Sequence, residues 1–400
     1  MRKLLLAAVG ALAASATIAT APARATSLVG QPQQVNVVPA SGFYQRDADL
    51  VFDVGGGRFL VAWGEDTVND FPDKLGNSLK VRGFKVVGST LSQFKPVVRL
   101  DQPTIDGNKR LLGAHTTPAD DLQVLWSTTD TNFGATFTIY RQVFKAGAKS
   151  GGIATLAGPV TGGFARFLGN RSDGVDALIW RTGTSYAGKL LTAAGALSTP
   201  VAFSLPSGQS LFRLEGHQTG YVATVSKSNA AFTQRTTYGR HFNSSMVLSP
   251  QVTTILPQTP SDDNPFQQLA TRSDGKVAFV YGLMDATNKV DVFGRVYDGT
   301  LSPVSAKVAI LANQPDIDLA VQFQPLANGE LLMSRIAKPP GGFAIVVQRL
   351  DASLHLVGTP ATIGPFPAVG NHGLDLLSNG MAVVSYSKGT AALFIQMLQP

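Results

Sequence analysis

Only three of the chain's 26 acidic side chains are glutamates, Glu65, Glu215 and Glu330, and the first lies in the acid-rich stretch "GEDTVNDFPDKLGN" at 64–77. Carboxyl groups gathered in one cleft can transfer protons in glycoside hydrolysis or elimination, or accept hydrogen bonds from a ligand's hydroxyl groups. For proton transfer the candidates are Glu65, Asp66, Asp130 and Asp285, each close behind a short apolar run. For binding, the polar loops offer Asp66, Asp70, Phe71, Asp73, Asp130, Asn132, Phe133, Asp262, Asp263, Asp285 and Asn288, with Phe266 nearby. Such a mixture grips hydroxyl-rich ligands by hydrogen bonding and stacking. It is also ordinary loop chemistry.

Other chemistries are poorly supplied. There is no cysteine, which excludes disulfides, thiolate metal sites and a cysteine nucleophile. His115, His217, His241, His355 and His372 fall in different parts of the chain and form no local metal pair. Signatures for a serine nucleophile elbow, a phosphate-binding loop and a zinc protease are absent. No cofactor is implied. "DATNKVD" (285–291) and "DTVNDFPD" (66–73) offer oxygens to calcium without the spacing that wraps an ion.

These candidates need elements to position them, and the chain supplies elements in a repeat of about 54 residues. A short apolar strand recurs as "FLVAW" ending at Trp63, "LQVLW" at Trp126, "DALIW" at Trp180, "YVATV" at Val225, "VAFVY" at Tyr281, "ELLMS" at Ser334 and "MAVVS" at Ser385. Several copies follow Asp-Gly or Asn-Gly, which supply the positive φ angles of a two-residue hairpin. The Trp series suits packing between sheets better than ligand stacking.

A second strand follows each hairpin: "VRGFK" (81–85), "RQVFK" (141–145), "GKLLT" (188–192), "GRHFN" (239–243), "GRVYD" (294–298), "VQRLD" (347–351) and "IQMLQ" (395–399). It places a long polar side chain at Arg82, Gln142, Lys189, Arg240, Arg295, Gln348 and Gln396, two residues before an aromatic or Leu and so on the same strand face. A stem lying on the neighbouring sheet, with its head bonded to a carbonyl, explains this mixture better than polyanion recognition does. A third strand closes six of the units. The seventh finds its counterpart in "LVGQPQQVNVV" (28–38), which echoes "LVGTPATI" (356–363).

The expected fold is therefore all-β: a seven-bladed β-propeller of four-stranded antiparallel blades, the last closed by the N-terminal strand. A six- or eight-bladed ring and a pair of β-sandwiches are the rival arrangements. The repeats run roughly over 46–100, 101–156, 157–205, 206–256, 257–311, 312–363 and 364–400 plus 27–38, within one domain spanning 26–400.

With its Trp-ending strand followed by a G-R/Q-x-F/Y-D strand, the chain resembles secreted bacterial β-propeller repeat proteins over nearly all of 27–400. The likeness is one of fold and brings no catalytic residue with it. "RSDGVDALIW" (171–180) and "RSDGKVAFVY" (272–281) approach the Asp-box of sialidase propellers but lack its spacing, and are expected to be hairpin turns.

Residues 1–25 have the basic start, apolar run and small-residue end of a secretory signal peptide, cleaved after Ala25. Of the 33 basic side chains three lie there, leaving 30 against 26 acids and no basic cluster, a poor match to nucleic acid. No later segment is long and apolar enough to span a membrane. The resulting expectation is a secreted or periplasmic monomer, non-catalytic, binding a protein or glycan through its loop-rich face. The alternatives are a carbohydrate-active hydrolase or lyase using loop carboxylates, and a purely structural envelope or matrix protein.

Overall fold

The computed structural model describes residues 25–36, 43–67, 78–101, 108–116, 122–129, 136–145, 148–161, 166–171, 173–218, 220–231, 233–260, 266–285, 287, 289–315, 321–388 and 392–400. Their strands form seven separate four-stranded sheets. Blade one is β2 (Phe43–Asp53), β3 (Arg58–Thr67), β4 (Ser78–Val87) and β5 (Thr90–Arg99); blade two is β6 (Asn108–Thr116), β7 (Leu122–Thr129), β8 (Thr136–Lys145) and β9 (Ala148–Thr161). Blade three is β10 (Arg166–Gly169), β11 (Asp176–Thr182), β12 (Ser185–Leu191) and β13 (Val201–Phe203); blade four is β14 (Gln209–His217), β15 (Gly220–Ser228), β16 (Gln234–Asn243) and β17 (Leu248–Pro260). Blade five is β18 (Gln267–Thr271), β19 (Val277–Met284), β20 (Lys289–Tyr297) and β21 (Val308–Pro315); blade six is β22 (Val321–Pro325), β23 (Leu331–Ala337), β24 (Phe343–Leu350) and β25 (Leu356–Phe366).

Blade seven joins β26 (Val369–Leu376), β27 (Ala382–Lys388) and β28 (Ala392–Gln399) to β1 (Ser27–Gln34) from the other end of the chain. Ser27 stands opposite Gln399 and Gln34 opposite Phe394. Beyond β1, the Val35 N–H donates to the Leu393 carbonyl at 2.8 Å and the Leu393 N–H to Asn36 Oδ1 at 2.9 Å. The chain is thus a seven-bladed propeller closed by its N-terminal strand. Among the described residues no helix is long and apolar enough to cross a membrane. Residues 1–24, most of the expected leader, lie outside the described residues.

Within each blade the strands run from A, innermost, to D, outermost. Strand B is buried on both faces, which is why it reads as an unbroken apolar run. Each junction between neighbouring blades holds an apolar cluster; Trp63 and Phe84 of blade one, for instance, meet Ile395 and Met397 of blade seven. Trp63, Trp126 and Trp180 are all buried in such clusters and fill the space between blades.

The last two copies of strand B are shifted from the sequence alignment. Leu331 pairs with Leu350 and Ala382 with Leu398, as Phe59 pairs with Phe84. Arg335 and Tyr386, not Ser334 and Ser385, therefore match Trp63. A strand buried on both faces has no alternation to fix its register, so pairing with strand C decides it.

The A–B turns differ from expectation in length, although Asn328 (φ +59°) and Gly329 (φ +75°) of blade six are both left-handed, as their Asn-Gly pair predicts. Arg272 N–H donates to the Lys276 carbonyl at 2.8 Å and Gly275 N–H to the Arg272 carbonyl at 3.1 Å, enclosing three residues rather than two. Gly275 alone is left-handed there (φ +75°), while Asp274 accepts the Lys276 N–H at 3.2 Å. The turn from Leu377 to Met381 repeats the pattern around Gly380.

The G-R/Q-x-F/Y-D strand can be explained residue by residue. Its polar side chain sits where strand D bulges away from strand C, as between Arg141 and Val143 or Val347 and Arg349. There Gln142 donates to Ser150 O at 3.2 Å, Arg240 to Ser249 O at 3.1 Å, Arg295 to Ser305 O at 3.0 Å, Gln348 to Gly358 O at 3.1 Å and Gln396 to Val29 O at 2.9 Å. Arg82 reaches Val35 O and Lys189 reaches Leu156 O, both on the preceding blade. All seven heads meet carbonyls, as expected. Five of those carbonyls belong to the residue's own blade, because the bulge frees them there.

The final Asp or Asn heads the C–D turn: Asn243, Asp298 and Asp351 each accept backbone N–H groups two and four residues on. The turn then forces Met246, Leu301 and Leu354 into left-handed backbone, with φ of +62°, +66° and +68°. That costs about 1–2 kcal/mol per residue. Burial of each side chain, about 1.5–3 kcal/mol, offsets it. Each side chain lies over the strand C glycine of the preceding blade: a Cβ on Gly188, Gly239 or Gly294 would stand 2.2, 3.0 or 2.7 Å from Met246 Cε, Leu301 Cδ1 or Leu354 Cδ1. Blade six carries Val347 at this position instead, and blade seven, whose outer strand is β1, has no C–D turn to send across.

Candidate functional site

The seven A strands surround a central channel. Its cavity, about 740 Å3, is lined by residues in and just after these strands, among them Phe52, Asp53, Arg171, Asp176, Glu215, Gln322, Phe323, Gln324, His372 and Asp375. Pairing with strand B sets their levels. Phe52 stands opposite Leu60, Glu215 opposite Val222, Ala270 opposite Ala278, Gln324 opposite Leu332 and Asp375 opposite Val383, which are equivalent positions in their blades. Glu215 and Asp375 therefore share one level of the ring. They belong to blades four and seven, on opposite sides of the channel.

Several lining groups are occupied in holding blades together. Asn170 Nδ2 donates to Ala114 O at 2.9 Å, Thr271 Oγ1 to Gly216 O at 2.6 Å and Gln324 Nε2 to Leu374 O at 2.8 Å, each across a blade junction. Asp53 accepts the N–H groups of Gly55 at 3.1 Å and Ser378 at 2.8 Å, tying blade one to blade seven. Asp176 accepts Asn170 Nδ2 at 3.2 Å and the Arg171 N–H at 3.3 Å. The Arg171 guanidinium pairs with Asp173.

Glu215 and Asp375 are held differently. Protein encloses both carboxyl groups, although each residue keeps part of its surface open to the channel. Burial pushes the Glu215 carboxyl up to about 7, with Arg213 opposing. Burial likewise raises Asp375 to about 7; the Leu376 N–H, 2.8 Å from Oδ1, opposes this and the nearby Asp53 charge adds to it. Glu215 accepts no hydrogen bond from a described residue. On the Asp375 wall, His372 is 1% exposed, with Nε2 at 2.9 Å from Ser334 Oγ and Nδ1 without a partner. Burial lowers it to about 4, so it is neutral at pH 7. Two carboxyls poised near neutrality can donate or accept a proton or a hydrogen bond. Among the described residues no three metal-ligating side chains converge.

The sequence-predicted candidates lie elsewhere. Glu65 and Asp66 are in β3, paired with Gln45 and Tyr44, and their side chains fall outside what is described. Asp70, Phe71, Asp73, Asp130, Asn132, Phe133, Asp262, Asp263 and Asn288 lie outside the described residues altogether. Asp285 is described and heads a B–C turn, with Oδ1 accepting the N–H groups of Lys289 at 2.9 Å and Thr287 at 2.8 Å. These bonds hold its carboxyl below the usual carboxylate range, so it is a turn-forming carboxylate rather than a proton donor. Phe266 is buried with its ring against Gly282, unavailable for stacking. The signal missed in the sequence was a glutamate within the inner strand "LFRLEGH" of a chain that has only three.

No protein-family model matches the chain, and no curated protein matches it. Solved structures do. The chain is similar to the polysaccharide lyase Uly1 at 8% identity, with a TM-score of 0.56 over 91% of each chain. It is similar to the β-propeller domain of the Trilobed protease from Pyrococcus furiosus at 9% identity and a TM-score of 0.49, over 89% of this chain and 94% of that one. It also resembles the α-L-arabinanase of Penicillium chrysogenum at 13% identity and a TM-score of 0.46, over 94% of this chain and 98% of that one. The first likeness is one of fold alone, and the other two are too loose to carry an argument.

Proposed function

We propose that this chain is an exported, non-catalytic propeller that binds a hydroxyl-rich ligand, a glycan, in its central channel. One observation carries the reading: carboxyl, amide and hydroxyl groups line the channel beside the rings of Phe52 and Phe323, in a volume suited to a small ligand. Export rests on the leader pattern of residues 1–25. The test is a glycan array probed with the purified protein, with calcium and with chelator. Reproducible binding weakened by Gln322→Ala supports the reading; a blank array replaces it with a protein-binding or structural propeller.

A second reading is favoured by the raised carboxyls of Glu215 and Asp375, the property a general acid or base needs. Mass spectrometry of bound oligosaccharides after incubation decides it. Products lost in Glu215→Gln make the protein a hydrolase or lyase, whereas intact ligand leaves it a binding module.

A further inference from the structure

The kind of glycan can be taken further, on the premise that the channel is the ligand site. Among the described lining residues Asp53, Asp176, Glu215 and Asp375 stand against Arg171, with Arg213 close to Glu215, although the chain as a whole carries more basic than acidic groups. Most of these charges are committed: Arg171 to Asp173, and Asp53 and Asp176 to backbone N–H groups. Glu215 and Asp375 are not. Glu215 faces the cavity with no hydrogen bond from a described residue, and among the described residues only the N–H of its chain neighbour donates to Asp375. The buried His372, on the Asp375 wall, has an Nδ1 without a partner. Carboxyl groups that open to the cavity without full protein partners are free for a ligand's donors.

We propose that the channel selects amine-bearing glycans, its ligand being an amino sugar oligomer whose amino groups pair with the Glu215 and Asp375 carboxyls. An ammonium group donates up to three hydrogen bonds to carboxylates, whereas a uronate would meet like charge. Among the described residues the charged groups facing the pair are Arg213 on the Glu215 strand, Arg171 and Asp176 from blade three and Asp53 from blade one, beside the neutral His372 of blade seven. Strands β18 (Gln267–Thr271) and β22 (Val321–Pro325) bring no charge. As pH rises through about 7 both carboxyls become charged, while at higher pH the sugar amine loses its own proton. Affinity should therefore peak near neutral pH.

Calorimetry with a glucosamine tetramer, its N-acetylated counterpart and a galacturonate tetramer, at pH 5, 7 and 8.5, tests this. The glucosamine tetramer should bind about tenfold tighter than the acetylated one at pH 7, with the advantage lost at pH 5 and no galacturonate binding. Glu215→Gln and Asp375→Asn should each remove most of that advantage, with thermal melts showing both variants folded. Equal affinity for the free and acetylated tetramers overturns the amine selection and leaves the glycan reading standing. If no tetramer binds while the array shows neutral glycans bound, the amine selection again fails alone. Failure of every glycan overturns both.

Discussion

The outer half of each blade and the central channel follow opposite rules. In strand C the same chemistry recurs in every blade, a long polar side chain at the bulge and an aromatic or Leu in the core, and blades three to six add a glycine where a neighbour's Met or Leu crosses or an Asp or Asn at the turn. At one level of the channel, by contrast, equivalent positions hold Phe52, Glu215, Ala270, Gln324 and Asp375. Packing between similar blades poses the same problem repeatedly and receives the same answer. A ligand seated in the channel would meet all blades at once, so each blade could contribute something different.

That contrast can be tested most severely at the closure. Deleting residues 27–34 removes a whole outer strand and exposes β28, so the melting temperature should fall sharply or the protein should oligomerise. An unchanged melt with a monomeric profile would contradict closure as a source of stability. Leu354→Ala comes next: it keeps the left-handed backbone but empties a buried site over Gly294, and should cost about 2–5 kcal/mol in denaturant unfolding. Gln396→Ala should cost about 1–3 kcal/mol, because the carbonyls of Val29 and Gly30 lose their donor. If either rim variant changed glycan binding without changing the melt, the division between rim and channel would fail.

The remaining expected effect lies in the channel, and it differs in kind. Glu215 gains its proton near pH 7 in the folded chain against an ordinary value of 4.5, so between these values the folded state holds the extra proton. Its contribution makes stability fall as pH rises through that window, and Asp375 acts in the same direction. His372, lowered from 6.5 to about 4, has the opposite slope between those values. Glu215→Gln should flatten the decline between about pH 4.5 and 7 in melts across that range. A steeper decline in the variant would show that Glu215 is stabilised as an anion.

The rim was legible in the sequence because packing imposed periodicity on it. Trp63, Trp126 and Trp180, the strand C polar series and the echo between 28–38 and 356–363 were enough to give seven blades and their closure. What failed was register where both faces of a strand are apolar, as at Ser334 and Ser385, and turn length, because the closing hydrogen bonds enclose three residues rather than two. The channel was not legible for the opposite reason. Glu215 and Asp375 are 160 positions apart in unlike surroundings, and only the ring brings them to one level. The dense acidic loops stand out more in the sequence, and Asp285, which heads one of them, is spent on its own turn.

The pairing of β1 with β28 also has a mechanical consequence. Ser27 and Gln399 stand opposite each other at one end of an antiparallel ladder. Tension applied between these two residues would load that ladder one rung at a time, from Ser27 toward Gln34, rather than shearing all its hydrogen bonds together. A ring that resists heat through closure would therefore open under modest force at a single place, with the blade that completes the circle serving as its release seam.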